Sequence, residues 1–256
     1  MSRDHLDIPA YLARINYAGP VNPSAETLRA LHIAHLRTVP FENLSIHSGE
    51  PIVLDDDALF TKIVTRRRGG FCYEANGLFA ALLRALGFNV AMLSAEVARD
   101  DGSYSPPFDH MALMITLSER WLADVGFGDS FLEPLLLDAQ REQLQSLNTF
   151  RIDRAGDYRI VMRRDADEWK PNYRFTLQSY EYTDFAEMCR YHQTSPQSHF
   201  TQNRICSRAT TDGRITLSDM RLIETSDGQR KERTLANQNE YALMLRERFG
   251  IVMANQ

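Results

Sequence analysis

The chain has 256 residues, 43% of them hydrophobic and 25% charged, with a net charge of −5. That is the balance of a globular protein with ample core, in one large domain or two to three small ones. Its acidity offers no general attraction to nucleic acid or an anionic membrane, and no run approaches the roughly 18 apolar residues of a membrane helix.

The N-terminal stretch is charged, is broken by Pro9 and lacks the apolar centre of an export signal. The three cysteines are an odd number, and without an export signal they read as reduced thiols of a cytoplasmic protein. The first 87 residues read as mostly helical. Residues 8–15 form a short helix. Ser24 caps the next, whose inner face is Leu28, Leu31, His32 and His35, and Pro40 ends it. An acidic run opens a third helix over 55–64, suiting the positive end of its dipole. The clearest helix begins near Cys72, with Ala75, Leu78, Phe79, Leu82, Leu83 and Leu86 on one face and Gly87 as a left-handed cap. From residue 88 the texture changes to short segments rich in β-branched and aromatic residues, broken at Asp101-Gly102, Ser118-Glu119 and Ala155-Gly156-Asp157. This predicts an antiparallel sheet or barrel. A helix returns over 183–191, short strands flank Asp212-Gly213 and Ser226-Asp227-Gly228, and a helix over 237–249 ends at Gly250. Helices, then strands, then a mixed segment predict an α+β protein with separate subdomains rather than a doubly wound sheet.

The most informative segment is RGGFCYEANG, residues 68–77. Gly69 and Gly70 permit a tight turn with unusual backbone angles before a helix. Cys72 then falls in the first turn, where unpaired N–H groups and the helix dipole favour a thiolate. On local grounds alone a buried structural cysteine stays open. A thiol nucleophile needs a base and a group to orient it. His110 opens the strand HMALMITL and Asp124 ends the strand WLADVGFG. An antiparallel pair joined by a short turn brings the start of one strand beside the end of the other. A carboxylate on one imidazole nitrogen fixes the tautomer and leaves the other nitrogen to take the thiol proton.

These residues resemble the arylamine N-acetyltransferases. The matching pieces are PFENL (40–44), RRGGFCYEANGLF (67–79), HMAL (110–113), DVGFG (124–128) and SPQSHF (195–200), with a cysteine at Cys206. The resemblance implies a helical domain over 1–87 carrying the nucleophilic cysteine, a β-barrel domain over 88–180 carrying His and Asp, and an α/β lid over 181–256. It implies a catalytic triad of Cys72, His110 and Asp124. It also implies a double displacement in which Cys72 takes the acetyl group of acetyl-CoA and passes it to an arylamine, arylhydrazine or hydrazide. Through the resemblance, Phe41, Val97 and Phe127 are expected to wall the acceptor pocket. Gly126, Gly128, Ser198 and Phe200 are expected to contact CoA. Glu42 and Arg68 are expected to form a structural ion pair beside the thiol, and Asn76 to support the triad acid. No metal, nucleic acid or membrane is expected, and a homo-oligomer is compatible.

Arg66-Arg67-Arg68 reads as a solvated helix end, and His32 and His35 read as core histidines. Cys189, His192, His199 and Cys206 lack the paired spacing of a zinc site. Two rival activities share this triad order: an amide synthase or acyltransferase using another acyl donor, and a thiol protease or transglutaminase-like enzyme.

Overall fold

The computed structural model describes residues 6–253; expectations touching residues 1–5 and 254–256 lie outside them. Helix α1 (Ile8–Arg14) is capped by Asp7. Helix α2 (Ala25–Thr38) is capped by the Ser24 hydroxyl, which accepts the Thr27 N–H at 3.1 Å. Strand β1 (Phe41–Glu42) and the short helices α3 (Leu44–Ser48) and α4 (Asp56–Phe60) follow. The predicted helix over 55–64 is not uniform. After Phe60 it widens into a π-helical turn, Thr61–Thr65, which turns Lys62, Ile63 and Val64 inward. Helix α5 (Cys72–Ala85) buries almost its whole surface, and Gly87 takes the left-handed conformation at φ 88°.

The middle of the chain is one eight-stranded antiparallel sheet. Its strands are β2 (Asn89–Val97), β3 (His110–Thr116), β4 (Arg120–Ala123), β5 (Leu135–Leu136), β6 (Gln143–Leu144), β7 (Thr149–Ala155), β8 (Tyr158–Asp165) and β9 (Glu168–Tyr180). The spatial order is β5-β4-β3-β2-β9-β8-β7-β6. The two edges are joined by side chains rather than by a ladder. The Gln143 amide accepts from Leu136 N–H at 2.7 Å and donates to its carbonyl at 3.0 Å. Gln145 does the same for Glu133, at 3.1 and 2.7 Å. The amides satisfy backbone groups that a fully closed barrel would pair through strands. Leu93, Ala112, Phe150, Val161, Tyr173 and Phe175 belong to the core of this sheet.

Beyond β9 come α6 (Ala186–Thr194), α7 (His199–Gln202), β10 (Ile205–Ala209), β11 (Gly213–Ser218), β12 (Arg221–Ser226), β13 (Gln229–Thr234) and α8 (Gln238–Phe249). A second antiparallel sheet runs β1-β10-β11-β12-β13. Its first strand comes from the helical N-terminal part, with Phe41 opposite Ser207 and Glu42 opposite Cys206. A two-residue strand is too short to show a period, so the sequence carried no sign of this interlock. Phe185 and Cys189, from the C-terminal part, bury into the same core as α2 and α5. Among the described residues no helix is long and apolar enough to cross a membrane.

Candidate active site

Cys72 is the first residue of α5 and is 3% exposed. The turn before it differs from expectation. Neither Gly69 nor Gly70 has a positive φ; Arg67, at 53°, takes the left-handed turn. The glycines are needed for clearance instead. A Cβ on Gly69 would collide with the Pro40 carbonyl, and one on Gly70 would sit 2.6 Å from the Glu74 Cβ. Glu74 Oε2 then accepts the Phe71 N–H at 3.2 Å, while its Oε1 pairs with Lys62 Nζ at 2.6 Å.

His110 Nε2 lies 2.7 Å from Asp124 Oδ2, and both groups are buried. Asn76, one turn beyond Cys72, ties these groups to the helix. Its Nδ2 donates to Asp124 Oδ1 at 2.9 Å and to the Met111 carbonyl at 2.7 Å, and its Oδ1 accepts the Val125 N–H at 2.9 Å. The Gly126 N–H adds a second donor to Asp124 Oδ1 at 2.9 Å. Burial raises the Asp124 carboxyl, but the charge of His110 and the bonds from His110, Asn76 and Gly126 outweigh it and bring the carboxyl below its ordinary range.

The thiol departs from the sequence expectation. Helix-start position predicts a lowered pKa, yet burial pushes Cys72 well up, and the charges of Asp109 and Asp124 push the same way. The Met111 backbone opposes them. Desolvation by this depth of packing exceeds the favour of one helix end. A thiol held up in this way ionises by giving its proton to a neighbouring base. Nε2 of His110 is committed to Asp124, which leaves Nδ1 for that proton. Cys189 is pushed to about 12 and Cys206 well up, both first by burial, so neither competes as a nucleophile. All three cysteines are free thiols.

Aromatic rings surround the site. Phe127 meets the His110 ring edge-to-face at 5.2 Å. Phe41 lies 6.2 Å from Phe200, and Gly128 packs on Phe41, where a Cβ would come within 3.3 Å. Val97 is partly buried and pairs across the ladder with Tyr173, whose ring contacts His110 at 5.1 Å and Phe127 at 5.2 Å. Tyr173 was missed as a site residue; the alternation in NYRFTLQ puts it on the inner face with Phe175, which is a core signal only.

Two of the expected CoA contacts lie in packing. Gly126 touches α5 closely: an added Cβ would stand 2.7 Å from both Cys72 Cα and Asn76 Nδ2. Ser198 is 2% exposed, caps α7 and bonds His192 Nδ1 at 3.0 Å. Gly128, by contrast, lines a cleft of about 570 Å³ that reaches from Asp124 and Phe127 to Asp129, Arg163 and Arg214. Arg163 and Arg214 both hold Asp129, at 3.1 Å each.

Glu42 and Arg68 form the buried ion pair expected of them. Arg68 donates to the two carboxylate oxygens at 2.9 and 3.1 Å, and Glu42 also accepts the Leu44 N–H at 2.7 Å. Only Arg66 and Arg67 of the basic run are exposed, so the solvated-end reading fails for its last member. His32 is fully buried as expected, but it is also part of the site. Its Nε2 accepts the Asp124 N–H at 3.0 Å, so Nδ1 carries the proton given to the Leu132 carbonyl at 2.9 Å.

Comparison with known proteins agrees with this architecture. A family model described as N-acetyltransferase matches residues 24–256. The arylamine N-acetyltransferase of Escherichia coli (strain K12) is 35% identical over 245 residues, which cover 94% of this chain and 87% of that protein. Among solved structures, the arylamine N-acetyltransferase from Salmonella typhimurium superposes with a TM-score of 0.92 at 32% identity, over 97% of this chain and 92% of that one. The Mycobacterium marinum arylamine N-acetyltransferase in complex with CoA gives 0.90 at 33% identity, over 96% and 93%.

Proposed function

This chain belongs to the arylamine N-acetyltransferase family, and from that premise we propose that it moves an acetyl group from acetyl-CoA to an arylamine, arylhydrazine or hydrazide through an acetyl thioester on Cys72. The observation that carries the reading is the 2.7 Å contact of His110 Nε2 with Asp124, whose carboxylate is tied at 2.9 Å to Asn76, one turn beyond Cys72. In the first half, Nδ1 of His110 takes the thiol proton as Sγ bonds to the acetyl carbon. Asp124 stabilises the resulting imidazolium. The bond from the acetyl carbon to the CoA sulfur breaks, and the proton leaves with that sulfur. In the second half, the amine nitrogen bonds to the same carbon, its proton passes to His110, and the carbon–Sγ bond breaks as His110 returns that proton to Sγ. Thioester is exchanged for thioester in the first half, so that step is nearly balanced; amide formation draws the second forward.

The aromatic lining suits a flat acceptor, with Phe127 and Tyr173 beside the imidazole and Phe41 and Phe200 nearby. The cleft from Asp124 to Arg163 and Arg214 suits the long donor, with the guanidinium groups placed for its phosphates. The Mycobacterium marinum relative, solved with CoA, supports that choice of donor.

The test is intact-mass measurement after brief incubation with acetyl-CoA and no acceptor. One added acetyl group, mapped to Cys72 and lost in Cys72→Ser, is expected. No label on Cys72 would overturn the reading. A label obtained only from a longer acyl thioester would favour another acyl donor.

A further inference from the structure

A polar chain runs from the C-terminal part of the molecule to the neighbourhood of the thiol. It starts at Ser198, whose Oγ is 3.0 Å from Nδ1 of His192 on α6. Nε2 of the same ring is 3.2 Å from Oδ1 of Asp109, the residue immediately before His110. The geometry is not that of a hydrogen bond, and the separation is that of an ion pair. The ring itself is gripped. It stacks on Tyr73 at 6.1 Å and 29°, and Phe200 meets it edge-on at 5.1 Å. Ser198 is sealed in, so this Ser–His–Asp series has no reachable hydroxyl nucleophile.

The same place holds a strained segment. Phe108 takes φ 66°, which costs free energy for a bulky residue and persists only where neighbours enforce it. Its N–H is held by Ser94 Oγ at 2.7 Å, and its carbonyl accepts the Tyr73 hydroxyl at 2.7 Å. That hydroxyl also lies 3.2 Å from the Asp109 carbonyl. Tyr73 follows Cys72, and its own carbonyl accepts the Tyr182 hydroxyl at 2.8 Å. The residue after the thiol and the residue before the imidazole are therefore bound to each other and to one histidine of α6.

Asp109 is faced by His192 from α6, by His110 beside it and by Ser105 from its own loop. The groups whose charge acts on Cys72 are Asp109, Asp124 after β4 and Cys189 of α6, and the Met111 backbone opposes them. The charge of Asp109 thus opposes ionisation of the thiol, and His192 is the side chain of α6 in contact with its carboxylate.

We propose that Asp109 and His192 form a second acid–histidine pair of the active centre, a positioning pair that holds Cys72 and His110 in register and sets the charge beside the sulfur. This rests on the reading of Cys72 as the nucleophile. The measurement is the rate of Cys72 alkylation by iodoacetamide against pH, followed by intact mass, in the native protein, Asp109→Asn, Asp109→Glu and His192→Phe. Removing the carboxylate charge lowers the midpoint of the alkylation profile by about half to one pH unit. Removing the histidine leaves Asp109 unopposed and raises it. Both variants acetylate Cys72 about tenfold more slowly, because alignment is lost, while KM for acetyl-CoA stays within about twofold. Asp109→Glu restores the native midpoint.

A role confined to stability lowers Tm but moves no midpoint, and an unchanged midpoint in folded Asp109→Asn overturns the proposal. So do shifts of the same sign in the two variants. Should His192→Phe fail to fold, Ser198→Ala replaces it, freeing Nδ1 alone; an upward shift supports the pair and no shift counts against it. Alkylation needs no acetyl donor. A native protein that acetyl-CoA leaves unlabelled would defeat the proposed activity, whereas the alkylation profile would still judge the pair.

Discussion

His32 Nε2 accepts the backbone N–H of Asp124 at 3.0 Å, so a buried histidine of α2 fixes the peptide that carries the candidate triad acid. That bond requires the neutral ring, with its proton on Nδ1 and donated to the Leu132 carbonyl. Burial depresses His32 to about 4, though the bond to the Leu132 carbonyl and the nearby charge of Asp124 pull the other way.

The depressed value makes a stability prediction with a definite sign. In the unfolded chain an ordinary histidine titrates near about 6.5. As pH falls below that, the unfolded state takes up the proton first, so it binds more protons than the folded state. The stabilisation from neutral His32 is complete above about pH 6.5 and is lost as pH falls towards 4, up to about 3 kcal/mol. His35, also lowered well by burial, adds loss of the same sign. Calorimetry between pH 7.5 and pH 5 is expected to give a falling Tm in the native protein. A shallower fall is expected in His32→Gln, whose amide retains an acceptor and a donor. Matching slopes in the two proteins would contradict this role for His32.

The Glu42–Arg68 pair leads to a different outcome. Both side chains are buried, and each also bonds to further partners: Glu42 to the Leu44 and Gly69 N–H groups, Arg68 to Ser45. Removing one member leaves an unpaired buried charge, a cost of about 3–5 kcal/mol. Glu42→Ala is expected to lower Tm by roughly 10 °C in a chain of this size, with activity per folded molecule largely kept. Glu42 also sits in β1, opposite Cys206, so the loss should reach the second sheet. Thermal denaturation read beside acetylation of Cys72 decides the matter. Normal Tm with abolished acetylation would assign Glu42 to the chemistry instead.

Much of this centre was legible because its groups sit at element boundaries that sequence marks well. A Gly-Gly turn before a strong 3.6-residue period located the start of α5 at Cys72, and a hairpin placed His110 beside Asp124. What stayed hidden depends on distance through space. No local pattern says that His32 of α2 reaches a peptide 92 residues later, that Gln143 and Gln145 bridge the sheet edges, or that β1 joins β10. The thiol's raised pKa was hidden for the same reason, since burial is a sum over partners brought in from the whole chain while the helix-start effect is local. The Gly69 and Gly70 requirement was placed correctly but for the wrong cause: clearance from Pro40 and Glu74, not backbone angle.

The cleft yields a prediction that separates donor recognition from chemistry. Arg163 and Arg214 converge on Asp129 from β8 and β11, and Arg214 also donates to Ser207 Oγ at 3.0 Å. Asp129 takes one contact from each guanidinium, so both retain N–H donors for an anion. A phosphate-bearing donor gains charge-assisted bonds here, whereas a small acetyl ester gains none. Arg163→Gln and Arg214→Gln are each expected to raise KM for acetyl-CoA by about tenfold, equivalent to roughly 1.4 kcal/mol. Acetylation of Cys72 by p-nitrophenyl acetate should change less than about twofold, because the thiol, His110 and Asp124 are untouched. The rise in KM should also shrink at high salt, where screening weakens the native contact and leaves the glutamine variants little to lose. Equal losses with both donors would mean that the arginines support the fold of the cleft rather than the phosphates of the donor.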